Sequence, residues 1–178
     1  LLLGTIVRLK VYVQNRSLFL DEANLSRNVV ERDWAAFFRA LDYQQYAPPG
    51  YLILNKLSVW LLGPGEYGLR LIALLSSIGL LFVVYALAKK LIASRWVQLV
   101  PLFLTAFSPN LIAHARLVTF DLPAAFFFCL TLYFFWKYCR SGLRRDLFGT
   151  GFFLGLSQLV KFTGLLLYPL ILVIGLLH

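Results

Sequence analysis

The stretch LRLIALLSSIGLLFVVYALA, from Leu69 to Ala88, decides the fold class. It contains one charged residue, Arg70, and is otherwise almost entirely apolar. A helix of about 20 apolar residues, rising about 1.5 Å per residue, crosses a hydrocarbon core about 30 Å thick. The stretch therefore predicts a membrane-spanning helix.

The composition extends this prediction to the whole chain. Of its 178 residues, 60% are hydrophobic and 14% are charged, whereas about a quarter of the residues in ordinary soluble domains are charged. So large an apolar excess needs lipid as its solvent, and a helix satisfies its own backbone hydrogen bonds there. We expect an all-α, polytopic transmembrane helix bundle that forms a single transmembrane domain.

Hydrophobic runs divide this domain into segments. Residues 1–7 are interpreted as the end of a first span, and both chain ends as truncated, as in the N-terminal part of a longer membrane protein. The segments expected after it are an outer loop at 8–68, spans at 69–88, 97–113 and 122–139, and a last membrane segment at 147–177. That last run is too long for one span, so we expect a broken helix or two segments, with the break between Lys161 and Gly164.

The net charge of +9 does not indicate nucleic-acid binding, because Lys and Arg lie mainly between the apolar runs. There they orient the spans and contact anionic lipid headgroups. Two short loops are strongly basic: Lys89, Lys90 and Arg95 in one, and Arg140, Arg144 and Arg145 in the other. The positive-inside rule places both loops in the cytoplasm and 8–68 and 114–121 on the opposite side. Three cations near the start of the outer loop oppose this orientation: Arg8, Lys10 and Arg16.

The outer loop predicts helices that lie in the membrane interface. Apolar residues recur there at helical spacing, as an amphipathic helix requires: Leu25, Val29, Trp34, Phe37 and Leu41. Asp21 is a candidate N-cap for this helix. Glu66 and Arg70, four residues apart, are expected to form an ion pair at the start of the next span.

Ionisable residues from three separate stretches are predicted to meet on the outer side. Asp21 and Glu22 follow the first span, Arg116 and Asp121 lie in the next outer loop, and Lys161 interrupts the last run. Ionisable groups at membrane depth are costly, so they usually mark a functional site or a buried pair. These five residues are our candidate site.

The residue types fit transfer of a group from a lipid phosphate. A carboxylate can take a proton from an acceptor hydroxyl, and Arg116 and Lys161 can neutralise a phosphate leaving group. Alternatively, Asp21, Glu22 and Asp121 could hold a divalent cation with the same effect. Each residue also has a structural alternative: the aspartates can cap helices, and Arg116 can extend to the interface or pair with Asp121.

The order of motifs resembles a known family. An acidic pair follows the first span, and then come a Pro-Pro-aromatic stretch, GEYGLRL, a basic loop, AR…D between two spans, and GLSQLVKFTGLLLYP. This order resembles the glycosyltransferase family 39 type of membrane enzyme, which includes protein O-mannosyltransferases and lipid A aminoarabinose transferases and has the GT-C fold. The segment 43–75 is especially similar to bacterial members without an assigned substrate.

The resemblance implies a glycosyltransferase that uses a polyprenyl-phosphate-linked sugar, a hexose in many members, and a hydroxyl acceptor on a protein, lipid or glycan. It implies a multi-pass protein of the bacterial cytoplasmic (inner) membrane with an outward-facing site. The family's first-loop acid maps to Asp21, with Glu22 beside it. Its later acid maps to Asp121, and its TKG-like lysine to Lys161. Ala47 stands where many members have His before the prolines.

From these observations we expect an inverting transfer in which Asp21 is the general base. A membrane transporter or flippase of lipid or sugar substrates is the alternative, because broken helices with an intramembrane lysine occur there too. A structural membrane subunit would instead leave the outer acids apart.

Overall fold

The computed structural model describes residues 1–176, which form helices and no β-strand. The α-helices are α1 (Leu2–Val13), α2 (Leu20–Glu31), α3 (Pro49–Leu62), α4 (Glu66–Leu91), α5 (Leu99–Phe107), α6 (Pro109–His114), α7 (Asp121–Ser141), α8 (Arg144–Val160) and α9 (Leu167–Leu176). Two 3-10 helices lie between them, at Trp34–Phe38 and Phe162–Leu166. The predicted all-α bundle is therefore confirmed.

Two helices, α4 and α7, are long and apolar enough to cross a membrane. They contain the predicted spans 69–88 and 122–139. Each begins with an acid, Glu66 or Asp121, and α4 has Lys89 and Lys90 in its last turn. Acids at the start of a helix and cations at its end interact favourably with the helix dipole, so these charges stabilise the helices.

Close packing around α7 depends on two glycines. A Cβ at Gly79 of α4 would lie 2.5 Å from the ring of Phe126, and one at Gly149 of α8 would lie 2.6 Å from the ring of Phe134. Small residues let helices approach closely in lipid, where packing rather than hydrophobic exclusion holds them together. The Phe-rich α7 therefore packs directly against α4 and α8.

The prediction of one continuous span at 97–113 is wrong. The helix ends at Phe107, and α6 begins at Pro109, with Ser108 outside helical geometry (φ −58°, ψ 117°). Proline has no N–H to donate and disfavours a helical conformation in the residue before it. Two short helices therefore replace the single span.

The interpretation of Arg8 as an outer-loop cation is also wrong. Helix α1 continues past Val7 to Val13, and Arg8 is completely buried within the bundle. Its guanidinium donates hydrogen bonds of 2.6–3.0 Å to Ser77 Oγ and to the carbonyl oxygens of Gly4, Thr105 and Ala106. Pro109 cannot donate to the carbonyl of Thr105, so Arg8 satisfies an acceptor that the break in the helix leaves free. Arg8 therefore no longer opposes the predicted orientation.

The last run is interrupted at the position where the sequence places a break. Helix α8 ends at Val160, Lys161 is extended (φ −156°, ψ 129°), and a 3-10 helix leads into α9. Leu170 and Ile174 of α9 lie beside the second half of α7, so α9 runs parallel to α7 and antiparallel to α8. Leu177, the last residue of the predicted segment 147–177, lies outside the described residues.

The amphipathic helix in the outer loop is shorter than predicted. Helix α2 ends at Glu31, because the backbone of Arg32 is extended. The guanidinium of Arg32 donates hydrogen bonds to the carbonyls of Ala36 and Ala40, which lie beyond the helix. Its N-cap is Phe19, so Asp21 is not the cap; Asp21 lies within the first turn.

One buried apolar cluster joins the outer loop to the ends of three other segments. Its members are Leu25, Val29, Phe37, Tyr51, Leu52, Leu69, Val118 and Val160. We call this side of the bundle, which also carries Glu22, Asp121 and Lys161, the Asp121 end. The opposite side, with Lys90, Arg140 and Asp146, is the Lys90 end.

Candidate functional site

An ion pair joins the start of α7 to the break after α8. Lys161 Nζ lies 2.5 Å from Asp121 Oδ1, and the two side chains remain 33% and 42% exposed. Thr119 fixes the carboxylate from the other side, because its hydroxyl donates to Asp121 Oδ2 at 2.9 Å. Because the backbone at Lys161 is extended, the Lys161 side chain reaches Asp121, which lies 40 positions earlier in the chain.

Two further groups surround this pair. His114 Nδ1 lies 3.7 Å from Asp121 Oδ2, and Lys161 Nζ lies 5.5 Å from the centre of the Phe120 ring. An imidazole at that distance from a carboxylate is attracted to it once protonated. His114 is not among the five residues predicted from the sequence, since a lone histidine has no distinctive pattern.

The pair borders a cavity of about 340 Å³. The other lining residues are small or apolar except for two hydroxyl side chains: Ala124, Ala125, Phe128, Cys129, Ser157, Thr163 and Gly164. A cavity with an apolar wall and one charged corner suits a ligand that has an apolar part and an anionic group.

The carboxylate of Glu22 is buried and accepts three hydrogen bonds. It is 7% exposed, and its Oε1 accepts from the backbone N–H of Val118 at 2.8 Å. Its Oε2 accepts from Arg16 at 2.9 Å and from the N–H of Phe19 at 3.0 Å. Because Val118 lies three residues before Asp121, Glu22 fixes the start of α2 to the loop that leads into the ion pair.

Arg70 does not form the predicted ion pair with Glu66 within the described chain. It is 1% exposed, lies 3.9 Å from Glu22 Oε2, and donates to the carbonyl of Arg16 at 2.6 Å. Arg16 and Arg70 therefore both face the single carboxylate of Glu22. An arginine inside an otherwise apolar run was the signal in the sequence that could have identified this contact.

Asp21 contrasts with its neighbour Glu22. Its side chain is exposed and makes no hydrogen bond or ion pair with any of residues 1–176. Arg116 is half-buried and likewise has no such partner in the described chain, so the alternative in which Arg116 pairs with Asp121 is not observed. The structure thus brings Asp121, Lys161 and His114 together and links Glu22 to their loop, without bonding Asp21 or Arg116 to them.

The donor set does not fit the divalent cation that the sequence left open. Among residues 1–176, no three Asp, Glu, His or Cys side chains converge. Asp121 is engaged by Lys161 and Thr119, and both oxygens of Glu22 accept hydrogen bonds from protein groups. A divalent cation at either carboxylate would have to displace these protein donors.

Comparison with known proteins agrees with this architecture. The profile of the family described as dolichyl-phosphate-mannose-protein mannosyltransferase matches residues 46–178. The crystal structure of ArnT from Cupriavidus metallidurans in the apo state superposes with a TM-score of 0.74 at 22% identity, over 99% of this chain and 35% of that one. The chain thus spans about a third of the length of ArnT, and this likeness establishes the fold. No curated protein sequence matches this chain.

The family profile covers most of the chain and includes Asp121 and Lys161, and the structural likeness adds the GT-C helix bundle. The resemblance to glycosyltransferase family 39 is confirmed. The chain belongs to the dolichyl-phosphate-mannose-protein mannosyltransferase family of GT-C membrane proteins.

Proposed function

We propose that the protein to which this chain belongs transfers a sugar, a hexose as the family description suggests, from a polyprenyl-phosphate donor to a hydroxyl acceptor. The observation that carries the proposal is the partly exposed Asp121–Lys161 ion pair beside an apolar cavity at the Asp121 end. The proposed reaction side is the non-cytoplasmic face of the membrane, which agrees with the basic loops at the opposite end.

The proposed chemistry is a single in-line displacement. The acceptor oxygen forms a bond to the anomeric carbon while the bond from that carbon to the phosphate oxygen breaks, so the configuration inverts. The bonding electrons leave with the polyprenyl phosphate, and the hydroxyl proton passes to a general base. Positioned cations stabilise the charge that develops on the phosphate.

Asp21 is our candidate general base. Of the two adjacent acids, Glu22 is buried with both oxygens bonded, whereas the carboxylate of Asp21 is exposed and free to accept a proton. Glu22 then has a positioning role, because it links the first turn of α2 to the loop before Asp121.

Lys161 is our candidate phosphate ligand, with Arg116 as a second cation. An ammonium group that is one third exposed can exchange its carboxylate partner for a phosphate oxygen at modest cost. In this proposal Asp121 orients Lys161 toward the cavity. Arg116 has no partner in the described chain and is therefore free to contact an anion.

The test is Asp21→Asn in the full-length protein, assayed for sugar transfer from polyprenyl-phosphate donors in membranes. Loss of a general base lowers turnover by about 10²–10⁴-fold. The matched control is Asp33→Asn, because Asp33 is also an exposed acid of the outer loop without a side-chain hydrogen bond in the described chain. Near-normal transfer by Asp21→Asn would reject Asp21 as the base. Movement of lipid or sugar across the membrane without any transfer would favour the transporter alternative.

A further inference from the structure

A groove at the Lys90 end lies between α4, α7 and α9, and its lining on α7 begins at Leu132, about one turn beyond Cys129 of the candidate-site cavity. It encloses about 260 Å³ and is lined by apolar side chains and one thiol: Leu87, Leu91, Leu132, Phe135, Trp136, Cys139, Leu170 and Ile174. The polar groups in this lining are the indole N–H of Trp136 and the weakly polar thiol of Cys139. A ligand with several polar groups would lose more hydrogen bonds to water than it gained here, so the groove suits a hydrocarbon chain.

Two cations from different helices stand at the rim of this groove. Lys90 Nζ from α4 and the Arg140 guanidinium carbon from α7 each lie 5.6 Å from the centre of the Trp136 ring. The two cations therefore share one aromatic side chain that also lines the groove. Cations within about 6 Å of an aromatic centroid are attracted to the ring.

These cations have no acidic partner in residues 1–176. The acid at the Lys90 end is Asp146, which is buried and paired with Lys137 at 2.8 Å. The neighbourhood of Lys90 and Arg140 is made more positive by other basic residues in the two loops: Lys89, Arg95, Arg144 and Arg145. The rim of the groove thus carries positive charge that no acid in residues 1–176 neutralises, and the groove itself is apolar.

We propose that this groove binds one acyl chain of an anionic phospholipid, whose phosphate contacts Lys90 and Arg140. A ligand that is apolar along its length and anionic at one end complements the apolar groove and the positive charge at its rim. The site differs from the proposed sugar-transfer site in both position and chemistry, so either proposal can fail while the other stands.

The experiment compares lipid binding by native mass spectrometry of the full-length protein in micelles with equal amounts of phosphatidylglycerol and phosphatidylcholine. Wild type is expected to retain phosphatidylglycerol preferentially. The double variant Lys90→Gln/Arg140→Gln should lose about 25-fold in that preference, because each cation near an anionic headgroup contributes about fivefold to binding.

The matched control is Arg95→Gln/Arg144→Gln, which removes the same charge from exposed positions at the same end. It should keep the preference if the site is specific. A second variant, Leu132→Trp, fills the groove and should reduce bound lipid while the rim cations stay in place. Thermal unfolding of each variant checks that it is folded.

Three results would overturn the proposal. They are equal loss of preference in both double variants, no preference in wild type, and unchanged lipid binding in a folded Leu132→Trp variant. The first would show a diffuse surface charge effect. The second would show that another part of the protein covers the groove or that the groove stays empty.

Discussion

The two ends of the bundle use their cations differently. At the Asp121 end, Arg16 and Arg70 face Glu22, and Lys161 pairs with Asp121. At the Lys90 end, Lys90 and Arg140 meet an aromatic ring instead. The first arrangement fixes loops from distant parts of the sequence around a cavity, whereas the second leaves positive charge available to the membrane. Lys90 and Arg140 thus differ from Arg16, Arg70 and Lys161 in having no carboxylate partner in residues 1–176, and this difference is the basis of the proposed lipid site.

The largest loss of stability is expected for Glu22→Gln. Glu22 is the buried carboxylate that Arg16 and Arg70 face, and removing one partner of a buried pair leaves charge uncompensated. We expect the free energy of unfolding in micelles to fall by about 3–5 kcal/mol. The matched control is Glu31→Gln, whose pair with Arg27 is exposed on both sides and should contribute little to stability. Equal effects from both variants would contradict the structural role assigned to Glu22.

Lys161→Met tests whether the second ion pair serves the reaction. We expect sugar transfer by the full-length protein to fall about 10²–10³-fold, as when a donor that stabilises a developing oxyanion is removed. Stability should change little, because both side chains of the pair are partly exposed.

The charge-swapped variant Asp121→Lys/Lys161→Asp separates function from structure. It can restore the ion pair but moves the ammonium group to α7. We expect normal unfolding without recovery of transfer. Recovery of transfer in the swapped variant would mean that the pair is only structural.

A smaller effect is expected at the Lys90 end. Lys137→Met removes the partner of the buried Asp146, which keeps a 2.8 Å hydrogen bond from Ser141 Oγ. Because Asp146 keeps this hydrogen bond, we expect a smaller loss of stability than for Glu22→Gln, without loss of transfer. Measuring unfolding and transfer on the same preparation checks both statements. A loss of transfer at normal stability would show that the two ends are coupled.

The sequence predicted those features that depend on local pattern. The apolar runs identified α4 and α7, and a lysine in the middle of an apolar run identified the break at Lys161. The order of motifs identified the family. Each of these signals lies within one stretch of chain, where composition and periodicity determine the outcome.

The sequence did not predict contacts between side chains that are distant along the chain. Arg8 donates to the carbonyl groups of Thr105 and Ala106, and Asp121 pairs with Lys161 rather than with the nearby Arg116. Arg70 lies beside Glu22 rather than pairing with Glu66, four residues before it. Such contacts depend on how the helices pack, which local spacing does not encode. Pro109 was a local signal for the break, and the prediction of one span at 97–113 did not take it into account.

We propose that Lys161, held by Asp121 at the edge of the cavity, receives the phosphate of a polyprenyl-linked sugar. The sharpest test of this role is a structure of the full-length protein with polyprenyl phosphate bound. We predict a phosphate oxygen about 2.7–2.9 Å from Lys161 Nζ, the usual length of a charge-assisted hydrogen bond. A phosphate bound elsewhere, with the Asp121–Lys161 pair unchanged and the cavity empty, would contradict the claim.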